Sequence, residues 1–267
     1  MNRAYVHGYS ARENQRLQDQ ASTLTDLLHA DSLFPPGSQI LEAGCGVGSQ
    51  TLSLAQKNPQ AFFTSIDISA ASLEQAREKL AAAGCQNVQF QQADIFNLPF
   101  PPDFFDHIFV CFVLEHLGDP EKVLVCLKRV LKSGGTITII EGDHGSAYFY
   151  PDSEAAHRAI HCQIQLQAAA GGNALIGREL YPLLLKAGFT GIRVSPRMVY
   201  VDASKPEMVD GFIRKTFTAM IEGVRERALA EKLIEAATFD QGIKDLYRTA
   251  DAGGTFCYTF FKAMGGK

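Results

Sequence analysis

The sequence lacks three features that would each assign it to a particular class of protein. Its six cysteines contain no CxxC pair, its lysines and arginines form no cluster, and its apolar runs are shorter than a membrane-spanning helix. The formal net charge is -4, which does not provide the positive footprint of a nucleic-acid-binding protein. We therefore expect no nucleic-acid partner, no stable membrane insertion, and reduced cysteines without a disulfide or zinc framework.

The first residues also lack the apolar core of a signal peptide, since residues 1–11 are polar and aromatic. With the dispersed cysteines, this predicts a soluble, cytoplasmic protein. The chain contains no internal repeat and no low-complexity tract. Its 267 residues, 46% of them hydrophobic, predict one sizeable core with a cap and argue against two independent domains. The oligomeric state cannot be inferred from these features.

Short apolar runs alternate with helical stretches in the first half of the chain. A capping box at residues 10–13 begins an amphipathic helix whose apolar residues recur at helical spacing. Five predicted strands follow, separated by helices or stretches of helical length: 39–43, 62–68, 88–93, 107–113 and 136–141. Helices that alternate with buried strands indicate a parallel sheet covered on both faces.

Longer helical stretches interrupt this alternation in the second half. The pattern predicts helices at 153–170 and 178–187, a strand at 192–201, a mostly helical stretch at 204–252, and a final strand at 255–261. Helices inserted between late strands would form a lid over the carboxyl edge of the sheet. Open α/β sheets bind their ligands at this edge.

The strongest local signal is a predicted strand that leads into a glycine-rich turn at residues 40–48. Glycines permit a sharp turn and leave the backbone open to a ligand. A phosphate-binding P-loop is excluded because Gly48 is followed by Ser49-Gln50 instead of Lys-Ser/Thr. The dinucleotide fingerprint expects Gly or Ala where Ser49 stands, so a nicotinamide-dependent oxidoreductase is a less favoured alternative.

The run from Glu42 to Gly48 resembles the E/DxGxGxG motif of class I methyltransferases that depend on S-adenosylmethionine (SAM). Further matches follow in the family's order. Asp67 closes the second predicted strand and Asp94 the third, and residues 131–135 are a Ser variant of the family's LKPGG. The resemblance spans about residues 36–141 and resumes at 176–189. In these segments the sequence is similar to the small-molecule methyltransferases of ubiquinone and menaquinone biosynthesis.

This resemblance implies a fold, a division of the chain and a set of residues around SAM. The fold is a Rossmann-like, doubly wound and mostly parallel α/β sheet of seven strands, with the last strand antiparallel and helical lid insertions. The expected segments are 1–35 (N-terminal cap helix), 36–143 (SAM-binding core), 144–175 (helical lid), 176–201 (core helix and sixth strand), 202–253 (helical insertion of the lid) and 254–267 (final strand). The expected SAM-binding residues are Tyr9, Gln20, Glu42, Gly44, Cys45, Gly46, Gly48, Asp67, Ile68, Asp94, Ile95, Cys111 and Phe112.

Methyl transfer requires a base only when the acceptor must lose a proton. Glu115, His116 and His144 are the candidate catalytic residues, and Glu141 and Asp143 share their place at the ends of strands four and five. The favoured alternative for each histidine is a structural role, which for His116 is packing or a place at a helix start. The final strand's tyrosine is interpreted as ordinary strand alternation. An apolar acceptor pocket could be lined by Tyr148, Phe149, Tyr150, Met198, Tyr200, Met208, Phe212, Phe217 and Met220, although core packing explains most of them equally well.

A metal ion is not expected, because transfer by positioning needs none. Glu154, His157 and His161 share one helical face, and we interpret this face as polar surface. The predicted function is methyl transfer from SAM to a small-molecule acceptor by in-line displacement. A module that binds SAM or its demethylated product, S-adenosylhomocysteine (SAH), without chemistry remains an alternative.

Overall fold

The structure, a computed structural model, describes residues 11–267, with side chains from Gln15 onward. These residues contain an eight-stranded sheet. The strands are β1 (Gln39–Ala43), β2 (Phe62–Asp67), β3 (Val88–Gln92), β4 (Phe105–Cys111), β5 (Leu131–Gly142), β6 (Tyr148–Tyr150), β7 (Thr190–Asp202) and β8 (Thr255–Gly266). The first five are parallel to one another and lie in the order β3-β2-β1-β4-β5.

The last strand, β8, is antiparallel to all of its neighbours. One edge of β8 pairs with β5 and then with the short β6, and the opposite edge pairs with β7 along nearly its whole length. The predicted Rossmann-like α/β class with an antiparallel final strand is thereby confirmed. The predicted count of seven strands was too low by one, because the three residues of β6 are too few to show an alternating pattern and fell within the predicted lid.

Ten α-helices surround this sheet in the described part of the chain: α1 (Ala11–His29), α2 (Ser49–Lys57), α3 (Ala70–Ala82), α4 (Pro120–Val130), α5 (Glu154–Ala169), α6 (Leu180–Lys186), α7 (Pro206–Met208), α8 (Ala219–Glu222), α9 (Arg225–Ala230) and α10 (Ala236–Arg248). A π-helix, Val209–Thr218, connects α7 to α8. Short 3₁₀ turns occur at Leu114–His116, His144–Ser146 and Ile176–Glu179. No helix in the described residues is both long enough and apolar enough to cross a membrane.

Several of these helices begin and end at residues suited to the task. The side chain of Asp119 caps α4 by accepting a hydrogen bond from the amide of Lys122, and Pro120 occupies the first turn. Ser69 caps α3 and Ser153 caps α5 in the same way. The turn after α5 places Gly171 at a φ of 86°, a left-handed conformation that favours glycine. Local sequence thus fixes the helix ends.

Alternate residues of the central strands bury their side chains on opposite faces of the sheet. On β4, Phe109 packs in a core with residues of α1, α2, α5, α10 and the π-helix, whereas Ile108 and Val110 pack in a second core with residues of α4 and α6. Both cores contain fully buried aliphatic and aromatic side chains. The carboxyl ends of β1 to β5 are therefore held rigidly at one edge of the sheet.

Candidate functional site

A cavity of about 880 Å³ lies at the carboxyl ends of β1, β2, β3 and β4. We call it the large cavity. Most of the predicted SAM-binding residues line it, as does one candidate catalytic residue: Gln20, Glu42, Gly44, Cys45, Gly46, Asp67, Ile68, Asp94, Ile95, Cys111, Phe112 and His116. The sheet topology brings together those at the strand ends, because parallel strands end at the same edge, and α1 adds Gln20.

The glycine turn after β1 provides the floor of the large cavity. The amides of Gly44 and Cys45 both donate to the carbonyl oxygen of Ile66, at 2.8 and 3.0 Å, which ties the turn to β2. Gly44 has a φ of 82°, and a Cβ there would lie 2.5 Å from the nearest side-chain atom of Val113. Gly46 has a φ of 51°, and nothing lies within 4 Å of where its Cβ would stand. The backbone of Gly46 is therefore open to a ligand in the cavity.

Of the predicted SAM-binding residues that the structure describes, one is not found in the lining. Gly48 does not line the large cavity; its Cβ position is 2.9 Å from the Cβ of Ala76, so this glycine lets α2 and α3 pack closely. The motif in the sequence did not show whether Gly48 packs against a helix or contacts a ligand. Tyr9 lies outside the described residues.

Asp67 presents its carboxylate at the edge of the large cavity in a fixed orientation. Its Oδ2 accepts a hydrogen bond from the amide of Gly46 at 2.8 Å, and its Oδ1 accepts one from the amide of Ser69 at 2.9 Å. Asp94, after β3, is oriented in a similar way by the amide of Phe96 at 2.9 Å. Each carboxylate oxygen has further acceptor capacity, so both side chains could bind hydroxyl or amino groups of a ligand.

Glu42 lies on β1 just before the turn and lines the large cavity. Its side chain is buried, and the hydroxyl of Ser65 donates to its Oε2 at 2.6 Å. Burial raises the pKa of Glu42 to about 7, and the nearby charge of Asp67 adds to that rise, although the bond from Ser65 opposes it. Glu42 therefore lines the large cavity as a buried carboxyl group whose surroundings favour the protonated form.

A smaller cavity of about 60 Å³ adjoins the large one, and we call it the inner pocket. Its lining comes from α1, the end of β4, the turn after β5, the π-helix and its sequel, and β8: Arg16, Leu17, Gln20, Phe112, Glu115, His116, Gly142, His144, Phe212, Thr216, Phe217, Met220, Tyr258 and Phe260. Four of these also line the large cavity, namely Leu17, Gln20, Phe112 and His116. All three candidate catalytic residues, Glu115, His116 and His144, therefore lie in the inner pocket.

Phe112 lines both cavities. It follows β4 and has a φ of 58°, which is rare for a residue with a side chain. Its amide still donates to the carbonyl oxygen of Ile140 at 2.9 Å, and its ring lies 5.4 Å from that of Phe260. A strained backbone held in place by packing is common where a binding site needs a side chain in one position.

The buried carboxyl groups near the inner pocket differ in their charge. Burial alone would raise the pKa of Glu115, but His116, His144 and a 3.0 Å hydrogen bond from Gln167 hold that pKa below its usual value. The Nε2 of His116 lies 3.6 Å from the Oε1 of Glu115. Burial and the charge of Glu115 raise the pKa of Glu141 well above its usual value. Glu115 is thus the charged member of the pair.

Two other candidate bases are engaged in structural bonds. The Oε1 of Glu141 accepts hydrogen bonds from the amides of Val113 and Leu114, at 3.0 and 2.7 Å. Asp143 receives two hydrogen bonds from Arg178, at 2.6 and 2.7 Å. Neither Glu141 nor Asp143 lines either cavity. Both therefore brace the segments that carry the candidate catalytic residues.

Tyr258 is the residue that the sequence interpretation missed. Its hydroxyl lies 2.7 Å from the Nδ1 of His144, and both side chains are buried in the inner pocket. A Cβ on Gly142 would lie 2.4 Å from that hydroxyl, so only glycine fits there. An alternating strand pattern shows which way Tyr258 faces but does not show its partner, which lies 114 positions earlier in the chain. A buried tyrosine hydroxyl does usually have a partner, and this is the signal that could have been used.

The predicted aromatic set divides between the inner pocket and other places. Phe212, Phe217 and Met220 line the inner pocket. Phe149 and Met208 pack against the core beside it, whereas four members on β6 and β7 are exposed: Tyr148, Tyr150, Met198 and Tyr200.

The polar face of α5 forms no metal site in the structure. The Nε2 of His157 lies 2.8 Å from a carboxylate oxygen of Asp152. Across the described residues, no group of three or more His, Cys, Asp and Glu side chains is placed to hold a metal ion.

Comparisons with known proteins agree with this architecture. A family model described as a methyltransferase domain matches residues 35–188. The chain is 28% identical over 238 residues to the 27-O-demethylrifamycin SV methyltransferase of Amycolatopsis mediterranei, covering 88% of this chain and 80% of that enzyme. It is 37% identical over 108 residues to a ubiquinone/menaquinone biosynthesis C-methyltransferase of Vibrio parahaemolyticus, covering 40% of this chain and 42% of that enzyme. The chain spans about half the length, or less, of two other curated relatives that it matches. The matches cover 54% of one relative and 24% of the other.

A solved structure shares the fold. Phosphoethanolamine N-methyltransferase 2 of Haemonchus contortus, in complex with phosphomonomethylethanolamine and SAH, aligns with a TM-score of 0.58 at 18% identity and covers 93% of this chain and 53% of that one. The family match covers more than half of the chain and includes the glycine turn, Asp67, Asp94 and the segment after β4. The chain therefore belongs to the methyltransferase domain family, as the sequence resemblance predicted.

Proposed function

We propose that this protein binds SAM in the large cavity and transfers its methyl group to a small-molecule acceptor in the inner pocket. One observation carries the proposal. The open backbone of Gly46 and the oriented carboxylate of Asp67 converge on one cavity, and that cavity adjoins a second pocket lined by candidate catalytic side chains. A nucleoside-bearing methyl donor and its acceptor need this arrangement of two adjoining sites.

The large cavity suits SAM in size and in chemistry. Its volume of about 880 Å³ lies within the usual range for cavities that enclose a small molecule. Asp67 stands at the end of β2, where an acidic side chain can accept both ribose hydroxyls. Asp94 would accept from the adenine amino group, and Ile95 beside it lines the same cavity. Gln20 lines both cavities and would lie near the methionine end.

When bound, SAM supplies a methyl group that is already activated by its sulfonium. The task of the chain is to hold the acceptor in line with that group and to exclude water. The inner pocket is built for this, because its walls include the rings of Phe112, Phe212, Phe217 and Phe260. Apolar walls lower the local dielectric and limit the acceptor to a small or narrow group.

The relatives do not decide which acceptor atom receives the methyl group. One is named for an oxygen acceptor on a rifamycin and another for a carbon acceptor in quinone biosynthesis. A likeness of fold does not transfer substrate identity. What supports a small-molecule acceptor here is the enclosed inner pocket, which lies between α1, the π-helix and β8.

Calorimetry with SAH tests the cofactor part of the proposal. The wild-type protein should bind SAH, and Asp67→Ala should weaken that binding by about 10- to 150-fold, or roughly 1.5–3 kcal/mol, because the charge-assisted hydrogen bonds to the ribose are lost. Asp251→Ala removes an exposed carboxylate beyond α10 and is the matched control, with unchanged affinity expected. Equal affinities in all three proteins would show that the ribose lies elsewhere.

Turnover is the second part of the test. SAM with a labelled methyl group is incubated with a panel of small acceptors, and transfer of the label to one of them is the expected result. Binding of SAH without transfer to any acceptor would favour a binding module. A rise in melting temperature with a nicotinamide dinucleotide, and none with SAH, would contradict the proposal altogether.

A further inference from the structure

One ring nitrogen in the inner pocket is left available for chemistry. His144 bonds Tyr258 through Nδ1, and its Nε2 makes no hydrogen bond with the described part of the chain. Other polar side chains of the pocket are engaged elsewhere. Thr216 donates to the carbonyl oxygen of Gly211 at 2.7 Å, and Arg16 donates to Gln20 at 3.1 Å. Glu115 accepts from Gln167.

We propose that His144 is the catalytic base for an acceptor that presents a hydroxyl group, and that Tyr258 is the positioning residue that fixes the ring of His144 for this role. This inference rests on the proposed function, because it identifies the kind of acceptor used at the same site. It assigns methylation to oxygen, which neither the fold nor the relatives decide.

The ring of His144 is fixed from several sides. Its backbone amide donates to the carbonyl oxygen of Ala174 at 2.9 Å, which anchors the turn after β5. Its ring lies 5.9 Å from that of Tyr258 and 6.4 Å from that of Phe217. Gly142 leaves the space that the hydroxyl of Tyr258 occupies. A base must be held in one orientation to accept a proton efficiently, and these contacts provide that constraint.

The charges that face His144 come from two other segments and its own turn. Glu115 and His116 face it from the segment after β4, Arg16 from α1 and Asp143 from the neighbouring position. From the π-helix, the residues that line the pocket are uncharged. Burial lowers the pKa of His144, and the attraction of Glu115 only partly offsets this. The ring is therefore neutral at physiological pH and can accept a proton.

The reaction balances without any further reagent. As the new bond forms between the acceptor oxygen and the methyl carbon, the bond from that carbon to sulfur breaks and its electron pair remains on sulfur. The hydroxyl proton moves to the Nε2 of His144, which becomes an imidazolium. Glu115, held in the charged form, lies close enough to stabilise that cation. The imidazolium then releases its proton to water when the products leave.

This role requires one tautomer of His144. If Nε2 is to accept a proton, Nδ1 must carry the hydrogen and donate it to the hydroxyl oxygen of Tyr258. The opposite tautomer would place a hydrogen on Nε2 and make His144 a donor toward the acceptor. The hydroxyl of Tyr258, 2.7 Å from Nδ1, can accept or donate a hydrogen bond, and the proposal assigns it the accepting role.

Nitrogen NMR of the full chain with labelled histidine tests the tautomer without any acceptor. At pH 7, with or without SAH, we expect the Nε2 of His144 to be unprotonated and Nδ1 to be protonated, the signal being assigned by its loss in His144→Gln. Tyr258→Phe should give a mixture of tautomers, whereas Tyr150→Phe, an exposed tyrosine on β6, should leave the signal unchanged. A protonated Nε2 in the wild type would overturn the proposal.

Labelled-methyl assays with phenol and aniline as matched probes test the acceptor class. Transfer to phenol in preference to aniline is expected, with a loss of about 10²- to 10⁴-fold in kcat for His144→Gln and unchanged SAH affinity. Tyr258→Phe should lose less kcat than His144→Gln and should shift the pH profile of kcat. Preferential transfer to aniline, or a His144→Gln variant that matches the wild type on phenol, contradicts the inference.

The two proposals can fail separately. Loss of SAH binding in the wild-type protein counts against the proposed function, whereas the tautomer of His144 is measured whether SAH binds or not. If neither phenol nor aniline is methylated, the tautomer of His144 measured by NMR decides whether this side chain can act as the base. His161→Gln, on the exposed face of α5, serves as the control for histidine replacement.

Discussion

The large cavity and the inner pocket are built in different ways. Around the large cavity, the decisive groups follow consecutive strands, and backbone amides orient the carboxylates: Gly46 and Ser69 hold Asp67, and Phe96 holds Asp94. The inner pocket is lined instead by side chains from α1, the ends of β4 and β5, the π-helix and β8. One site is made by local turns and the other by tertiary packing.

This difference indicates where the specificity of the molecule lies. A turn of glycines and amides can bind the same nucleoside whatever surrounds it, because it uses the backbone. A pocket of packed aromatic rings changes its shape with each substitution. We therefore expect changes in the inner pocket to alter stability and acceptor choice while SAH binding persists, and changes in the glycine turn to weaken SAH binding.

The largest expected effect comes from a wall of the inner pocket. Phe217 is buried and its ring lies 4.8 Å from that of Phe256 and 5.5 Å from that of Tyr258. Phe217→Ala should lower the free energy of unfolding by about 3–5 kcal/mol, because it leaves a cavity in the core. Urea denaturation measures this loss, and Phe62→Ala, whose ring is exposed on β2, should cost much less. If Phe217→Ala weakened SAH binding of the folded protein tenfold, the two sites would not be separable.

Local signals in the sequence were sufficient to predict the large cavity. The strand at 39–43 was predicted with the bounds that the structure gives, and the second and third strands differ by one residue at one end. The glycine turn and Asp67 follow directly from those strands. Gly48 shows the limit of a motif, because its spacing fits but its Cβ position faces Ala76 rather than the cavity.

The inner pocket could be predicted only in part, because its contacts join distant parts of the chain. His144 was found as a residue after β5, but nothing local links it to Tyr258. The final strand continues beyond the alternating pattern at 255–261, and Gly265 and Gly266 pair with β5 although glycine has low strand propensity. Tertiary pairing overrides local preference at such positions.

The next largest effect concerns acid stability beside the large cavity. His29 is fully buried at the end of α1, and its Nε2 lies 2.6 Å from the Oε1 of Gln50, a residue of the cavity lining. Burial lowers the pKa of His29 to about 4, with the charge of Lys262 contributing and the bond to Gln50 opposing. Between about pH 6.5 and 4 the unfolded chain binds a proton that the folded chain excludes, so stability falls as the pH falls.

His29→Gln keeps a hydrogen-bonding side chain and removes the titration. From pH 6.5 to 4 the wild type should lose about 3 kcal/mol more stability than this variant, measured by denaturation at each pH. Glu42 has a raised pKa and acts with the opposite sign, but it is present in both proteins and cancels in the difference. Parallel stability curves for the two proteins would show that His29 titrates normally.

The smallest effect separates backbone strain from close packing at two glycines, Gly37 before β1 and Gly44 in the glycine turn after it. Gly37 and Gly44 have nearly equal φ angles, 81° and 82°, but a Cβ on Gly37 meets nothing within 4 Å, whereas one on Gly44 meets Val113 at 2.5 Å. Replacing either glycine with alanine should lower the free energy of unfolding by about 1–2 kcal/mol, because the left-handed backbone is unfavourable for a residue with a Cβ. Gly44→Ala should lower the free energy of unfolding by about 1–3 kcal/mol more, because the new Cβ overpacks against Val113. Since Val113 also lines the large cavity, Gly44→Ala should weaken SAH binding and Gly37→Ala should not; equal SAH affinities would mean that Val113 moves aside without disturbing the ligand site.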